Sequence, residues 1–371
     1  MSSHNIIPSL LHLPVELTYR ILDHLAPSDI LVSVRDVCSR LNAITNTYPR
    51  FQTFTTLNLR FCSIDALKSE YLGNSLKSNQ TLTKLILTQN DINHAGAKYI
   101  SDALKINQTL AVLDLSNNSI GSEGAKYFGD ALKYNRTLTT LDLLSNGIDD
   151  EGVCCLADAL KINQAITRLD LTRNSIGSQG AQYLADALRI NQTLKILSLS
   201  DNTIGEEGAC YLSDALKINK TLVTLHLHGN GINDKGAQHF ADMIMVNQVT
   251  YNFIALTTLQ CNSNSISDAG VRYLADGLRI NQTLIKLNLR GACIGFEGAQ
   301  CLGDALLSNR TLTELDISFN RIGDDGAQYL SNGLKNNQVK EKEYLVMCHI
   351  LINIFPTVTK NINDSNEQYW R

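Results

Sequence analysis

The chain has 371 residues, 44% of them hydrophobic and 18% charged, with a formal net charge of −4. That length exceeds what one spherical core serves, so the choice lies between several domains and one elongated array. The acidic balance lacks the basic excess of broad nucleic-acid binders, and the longest apolar run, YLVMCHILINIF at 344–355, is too short to span a bilayer.

The first residues, MSSHNIIPSLLHLPVEL, carry no positive stretch before their broken apolar run, so no secretory signal is expected. Nine cysteines are scattered without a CxxC pair, which predicts reduced thiols and a place in the cytosol or nucleus. Residues 8–50 read as a small head of three short helices. Pro14 suits the first position of a helix and Glu16 its positive end. Leu13, Leu17, Ile21, Leu22 and Leu25 recur at helical spacing, and Ala26-Pro27 ends the run. Ser28 or Asp29 caps a second helix through Ile30, Leu31 and Val34, and Val37, Cys38, Leu41 and Ile44 mark a third. A bundle this short is marginal alone and gains from burial against something else.

From Phe54 the chain repeats. Ten units of 28 residues begin at Phe54, Leu82, Leu110, Leu138, Ile166, Leu194, Leu222, Leu256, Leu284 and Leu312, filling 54–339. A period in the twenties signals a solenoid. In each unit an alternating stretch such as LDLSNNSI reads as a short strand, with Leu113 and Leu115 inward and Asp114 and Ser116 outward. The following GSEGAKYFGDALKYN reads as a helix whose Ala125, Phe128, Ala131 and Leu132 share one face. Strands stack about 4.8 Å apart and helices about 10 Å apart, so the array curves with its strands on the concave side. The turn asparagines, Asn90 to Asn320, are expected to form a ladder between units, with Cys62 and Ala292 in that slot in the first and ninth. The asparagine ending each helix, as at Asn79 or Asn135, is expected to cap it in the left-handed conformation.

Two stretches break the pattern. VTYNFI at 249–254 is an insertion between the seventh and eighth strands, and 340–371 is a tail. Both departures begin with the word NQV. Valine codons begin with the splice-donor dinucleotide, so translated intron is one reading of each, and a divergent cap over the last apolar face is the other for the tail.

On the concave face Asp114, Asp142 and Asp170 form one column, continued by Ser198, His226, Gln260, Asn288 and Asp316. These are expected to be solvated positions, and adjacent carboxylates there would attract a basic partner. Arg168, Arg173, Arg290 and Phe319, with Phe61, are candidate contact anchors, since Arg and aromatic residues dominate hot spots. His226 and His228 alternate along one strand and both face the groove, but no third metal ligand accompanies them. No phosphate-binding loop, HExxH, GxSxG or kinase signature is present, so neither cofactor nor catalytic role is expected.

The units resemble leucine-rich repeats of the ribonuclease-inhibitor type, also found in NOD-like receptors, and the resemblance implies an α/β horseshoe. The head, LPVELTYRILDHLAPSDILVSVRDVCSRLNAI, resembles an F-box through LP-x-EL, IL-x-x-L, P-x-D and VC-x-R. That family docks its apolar helices onto the adaptor of cullin-RING ubiquitin ligases. The resemblance makes Leu13, Pro14, Leu17, Ile21, Leu22, Asp29, Ile30, Val37 and Cys38 adaptor-facing or motif-defining. Leu41 stands where the family often has Trp, which trades aromatic area for an aliphatic contact and predicts weaker docking. The function implied is substrate recognition for a ubiquitin ligase, with a ligase adaptor at the head and a protein substrate on the repeats. Outside that complex a monomer is expected, with no nucleic-acid or membrane partner. Two other readings stay open: a recognition scaffold whose head is a helical cap, and a regulator that clamps an enzyme or GTPase.

Overall fold

The structure, a computed structural model, describes residues 55–246 and 256–337. The head at 8–50 with its nine adaptor-facing residues, the insertion at 249–254 and the tail at 340–371 lie outside them.

Strands and helices alternate throughout. The strands are β1 (Thr56–Asn58), β2 (Lys84–Ile86), β3 (Val112–Asp114), β4 (Thr140–Asp142), β5 (Arg168–Asp170), β6 (Ile196–Ser198), β7 (Thr224–His226), β8 (Thr258–Gln260), β9 (Lys286–Asn288) and β10 (Glu314–Asp316). The helices that follow them are α1 (Ala66–Ser78), α2 (His94–Leu104), α3 (Gly121–Leu132), α4 (Asp150–Leu160), α5 (Ser178–Leu188), α6 (Gly205–Ile218), α7 (Asp234–Val246), α8 (Asp268–Ile280), α9 (Phe296–Ser308) and α10 (Gly323–Asn336). The strands form one parallel sheet in chain order, and each helix packs on its neighbours, giving the curved solenoid of leucine-rich repeats.

The core is a column of leucines. Leu110, Leu113, Leu115, Ile120, Ala125, Phe128 and Ala131 are fully buried and Leu132 nearly so, which is the face that the helical spacing predicts. Shifting a strand by one residue would turn its leucine outward, so register is held tightly. It survives even the insertion. Thr224 pairs with Thr258 although 34 positions separate them, and Asn264 accepts from the Asn230 and Ile232 N–H groups at 2.9 and 3.0 Å. The six extra residues are absorbed between Val246 and β8.

The turn asparagines form the expected ladder. The Asn174 amide donates to the Leu143 and Leu171 carbonyls at 3.0 Å, and its oxygen accepts from the Asn146 and Ile148 N–H groups at 3.1 and 2.9 Å. Ala292 has no amide to make such a rung, and Cys293 is exposed rather than filling the slot.

The helix-end asparagines depart from expectation. Asn79, Asn219, Asn281, Asn309 and Asn337 have φ between −66° and −75° and ψ between 128° and 135°, extended rather than left-handed. Their side chains build a second ladder. The Asn135 amide donates to the carbonyls of Leu104 and Asn107 at 2.7 and 3.0 Å, while its oxygen accepts from Thr137 and Leu138 N–H at 3.0 and 2.7 Å. Leu104 ends α2, so its carbonyl lacks an intrahelical donor, and the next unit supplies one. A left-handed cap would satisfy only its own helix; the extended form ties two units together. The same bonds explain the sequons NQT at 107–109 and NRT at 135–137, whose asparagines are buried and fully committed.

Helix starts are shared between units as well. The Asp150 carboxylate accepts from the Gly177 N–H at 2.7 Å, and Asp268 accepts from Gly295 and Gly298 N–H at 2.6 and 3.0 Å. An acid from one unit therefore caps the helix of the next, where negative charge is favoured. Among the described residues no helix is long and apolar enough to cross a membrane.

Candidate partner-binding surface

Each three-residue strand turns its middle leucine into the core and its two outer side chains to the concave side. Parallel register sets Asp114 beside Asp142 and Asp142 beside Asp170, so the predicted acidic column exists as one patch. It is less solvated than expected: Asp170 is only 8% exposed. Neighbouring strands on the inside of a curve crowd their side chains, and that removes water from the carboxylates. Asp142 shows the consequence. Burial, backed by the Asp170 and Asp114 charges, pushes its carboxyl up to about 6, against an opposing hydrogen bond from the Leu144 N–H and the charge of Arg168. The outer carboxylates have more help. Asp114 accepts from Thr88 Oγ1 at 2.9 Å and Ser116 Oγ at 2.6 Å, and the Arg168 guanidinium stands 3.8 Å from Asp170.

His226 lies two strands beyond Asp170, its Nδ1 at 3.2 Å from Ser198 Oγ. Burial holds its pKa below the ordinary histidine value, opposed by the Asp170 charge. His228 does not join it. Its Nε2 faces Asp201 at 3.3 Å, and the Arg173 Nε donates to the other Asp201 oxygen at 3.2 Å. Asp201 thus gathers two of the predicted residues although sequence reading passed it over; its signal was the 28-residue offset from Arg173 in the same turn slot. The remaining pair stands alone towards the C-terminal end, where the Arg290 guanidinium lies 4.3 Å from the Phe319 ring centre. The predicted residues therefore sort into three groups: an acidic patch with Arg168 and His226, an Arg173–Asp201–His228 cluster, and an Arg290–Phe319 stack. Among the described residues no three His, Cys, Asp or Glu side chains are grouped to hold a metal ion.

The surface combines mixed charge, half-buried polar groups and exposed aromatic rings. A family model described as Leucine Rich repeat matches residues 78–101, 107–129, 134–157, 163–185, 191–213, 219–241, 281–303 and 308–331, just over half of the chain. A second, described as F-box-like, matches residues 10–49. This is an F-box/leucine-rich-repeat protein. Both modules are of kinds that typically serve protein interaction or substrate recognition without catalysis.

No curated protein matches this F-box/leucine-rich-repeat chain. Among solved structures it is similar to an internalin from Listeria monocytogenes, at 18% identity and a TM-score of 0.43, over 86% of this chain and 98% of that one. It is also similar to actin-binding site 2 of leiomodin-1, at 17% identity and a TM-score of 0.30, over 57% and 95% of the two chains.

Proposed function

We propose that this chain delivers a protein substrate to a cullin-RING ubiquitin ligase, its head docked on the adaptor and its concave face on the substrate. The observation that carries this reading is an F-box-like segment joined to a ten-stranded open array. The two parts divide the task. A short apolar head suits one constant partner, while concave columns that change from unit to unit suit a specific one. Ubiquitin transfer belongs to the assembled ligase, and this chain contributes placement.

In the head, Leu13, Leu17, Ile21, Leu22, Ile30 and Val37 supply the adaptor-facing apolar surface, with Pro14, Asp29 and Cys38 completing the motif. The experiment is co-expression of the full chain with the adaptor. Wild type co-purifies with it, and Leu17→Asp or Ile21→Asp abolishes capture, because a charge placed in a desolvated apolar interface costs several kcal/mol. Absence of capture by wild type, or unchanged capture by both variants, rejects the reading. Leu41→Trp makes a second check. Restoring aromatic area at that position tightens capture by about 1 kcal/mol, read as a slower dissociation rate in surface binding.

A further inference from the structure

Two features that cost the repeat stability meet at one place on the array. The residue before each ladder position has positive φ: Gln89, Asn117, Ser145, Arg173, Asp201 and Ser263 lie between 51° and 58°, Gly229 is at 61°, and Phe61 is at 60°. The tenth unit, like the first, puts a phenylalanine there: Phe319 at φ 58°, 71% exposed. A bulky side chain in that conformation is strained, and an exposed ring recovers little by burial. The adjacent ninth unit has Ala292 in its ladder slot, so it gives up a side-chain rung. Its own turn position is Gly291, at φ 61°, which leaves a gap in the side-chain column next to Phe319. Stability is given up twice within two units, and the side chain stacked on the strained Phe319 ring is Arg290.

Arg290 is also a cation without a carboxylate. Its guanidinium stacks on Phe319 and has no carboxylate within ion-pair distance among the described residues. The neighbouring charges are already occupied: Lys286 pairs with Glu314 at 2.6 Å, and the Asp316 carboxylate accepts from Ser318 Oγ and N–H at 2.6 and 3.0 Å. The backbone around Arg290 is used by the ladder too, its N–H donating to Asn288 Oδ1 and its carbonyl accepting from the Ser263 N–H. Only the planar fork of the guanidinium is uncommitted, and the ring beneath it limits its orientations.

We propose that the Arg290–Phe319 stack is the anchor of the concave face and takes the carboxylate of an Asp or Glu side chain in an extended segment of the partner protein. The proposal rests on the substrate-binding reading of the concave face. One uncommitted guanidinium matches one carboxylate in bidentate geometry. A phosphorylated residue carries nearly two charges and asks for a cluster of cations, and the neighbouring Lys286 is neutralised by Glu314. The apolar stem of the bound residue lies against the Phe319 ring above Gly291.

The test is selection from a displayed library of random twelve-residue peptides by the full chain, run in parallel with Arg290→Gln. Wild type enriches peptides containing Asp or Glu, and the enrichment vanishes with Arg290→Gln. A synthetic hit with its acidic residue changed to the matching amide binds wild type about tenfold more weakly and binds Arg290→Gln no worse than the parent hit does. Phe319→Ser separates contact from scaffolding: it weakens the hit yet raises the thermal midpoint by a few degrees, because serine relieves the strain. Peptides without acidic enrichment, equal hits with Arg290→Gln, or a phosphoserine analogue that binds tenfold tighter than the acidic hit each overturn the proposal. Adaptor capture is scored on the same samples. Failure of capture with acidic selection intact rejects the ligase reading alone, whereas capture without acidic selection rejects the anchor alone.

Discussion

Replacing Asn135 by aspartate costs the array about 3–5 kcal/mol of unfolding free energy at neutral pH. The change is nearly isosteric and keeps both acceptor bonds, from the Thr137 and Leu138 N–H groups. What changes is the other end of the side chain. The nitrogen that donates to Leu104 and Asn107 carbonyls becomes a carboxylate oxygen facing the same two carbonyls, at a site with no solvent exposure. Two buried acceptors lose their donor, each at about 1–3 kcal/mol, and a buried charge is added without a cation. A protonated acid can restore one of the two bonds, so acidification recovers part of the loss. Asn135→Ala leaves the same carbonyls unpaired and also strips the Thr137 and Leu138 N–H groups of their acceptor, but it adds no charge, so its deficit does not change with pH. Urea unfolding at pH 7 and pH 5 checks both. Because units are coupled only to neighbours, amide exchange should quicken first around α2, α3 and α4 rather than at the ends. A loss under about 1 kcal/mol for Asn135→Asp would mean that the second ladder does not tie the units.

That ladder also marks the limit of what the residues reveal before folding. The period, the strand and helix of each unit, the core face of Ala125, Phe128, Ala131 and Leu132, and the first asparagine ladder all follow from spacing, because one-dimensional repetition puts residues 28 apart side by side. The role of Asn135 did not follow. Its position after a helix admits both a left-handed cap and a bridge to the preceding unit, and only the backbone angles decide. Burial on the concave side was likewise hidden. Alternation shows that Asp170 faces away from the leucines, but the crowding that leaves it 8% exposed comes from curvature, a property of the whole stack. The grouping of Arg173 and His228 on Asp201 needed side-chain directions across two and three adjacent units. The head differs in kind: its motif words are legible at 10–49, and a partner for them is a property of another protein.

A second expected result is a gain. Asp142→Asn stabilises the array by about 1–2 kcal/mol at pH 7.5. The Asp142 carboxyl is half-buried between two others, and its pKa is raised from 3.8 to about 6, by burial first and then by the charges of Asp170 and Asp114. A carboxyl whose folded pKa lies above its unfolded value binds its proton more tightly in the folded state. Above pH 6 the group is ionised in both states and the full penalty is present; as pH falls from 6 through 3.8 the penalty disappears. The asparagine variant carries no such penalty, so its advantage over wild type is largest at pH 7.5 and gone below pH 4. His226 runs the other way: its lowered pKa means that protonation in acid opposes folding. Both proteins contain His226, so subtracting one urea titration from the other removes most of its contribution. The half-exposed setting is why the gain falls short of what the full shift would give, since water and Arg168 screen part of the repulsion. A carboxylate that weakens the fold at the centre of a concave face is suited to contact a basic group, which would relieve its two like-charged neighbours. The same substitution should therefore weaken a basic partner while strengthening the array, and equal stability of the two proteins at pH 7.5 would remove the case for a strained acidic patch.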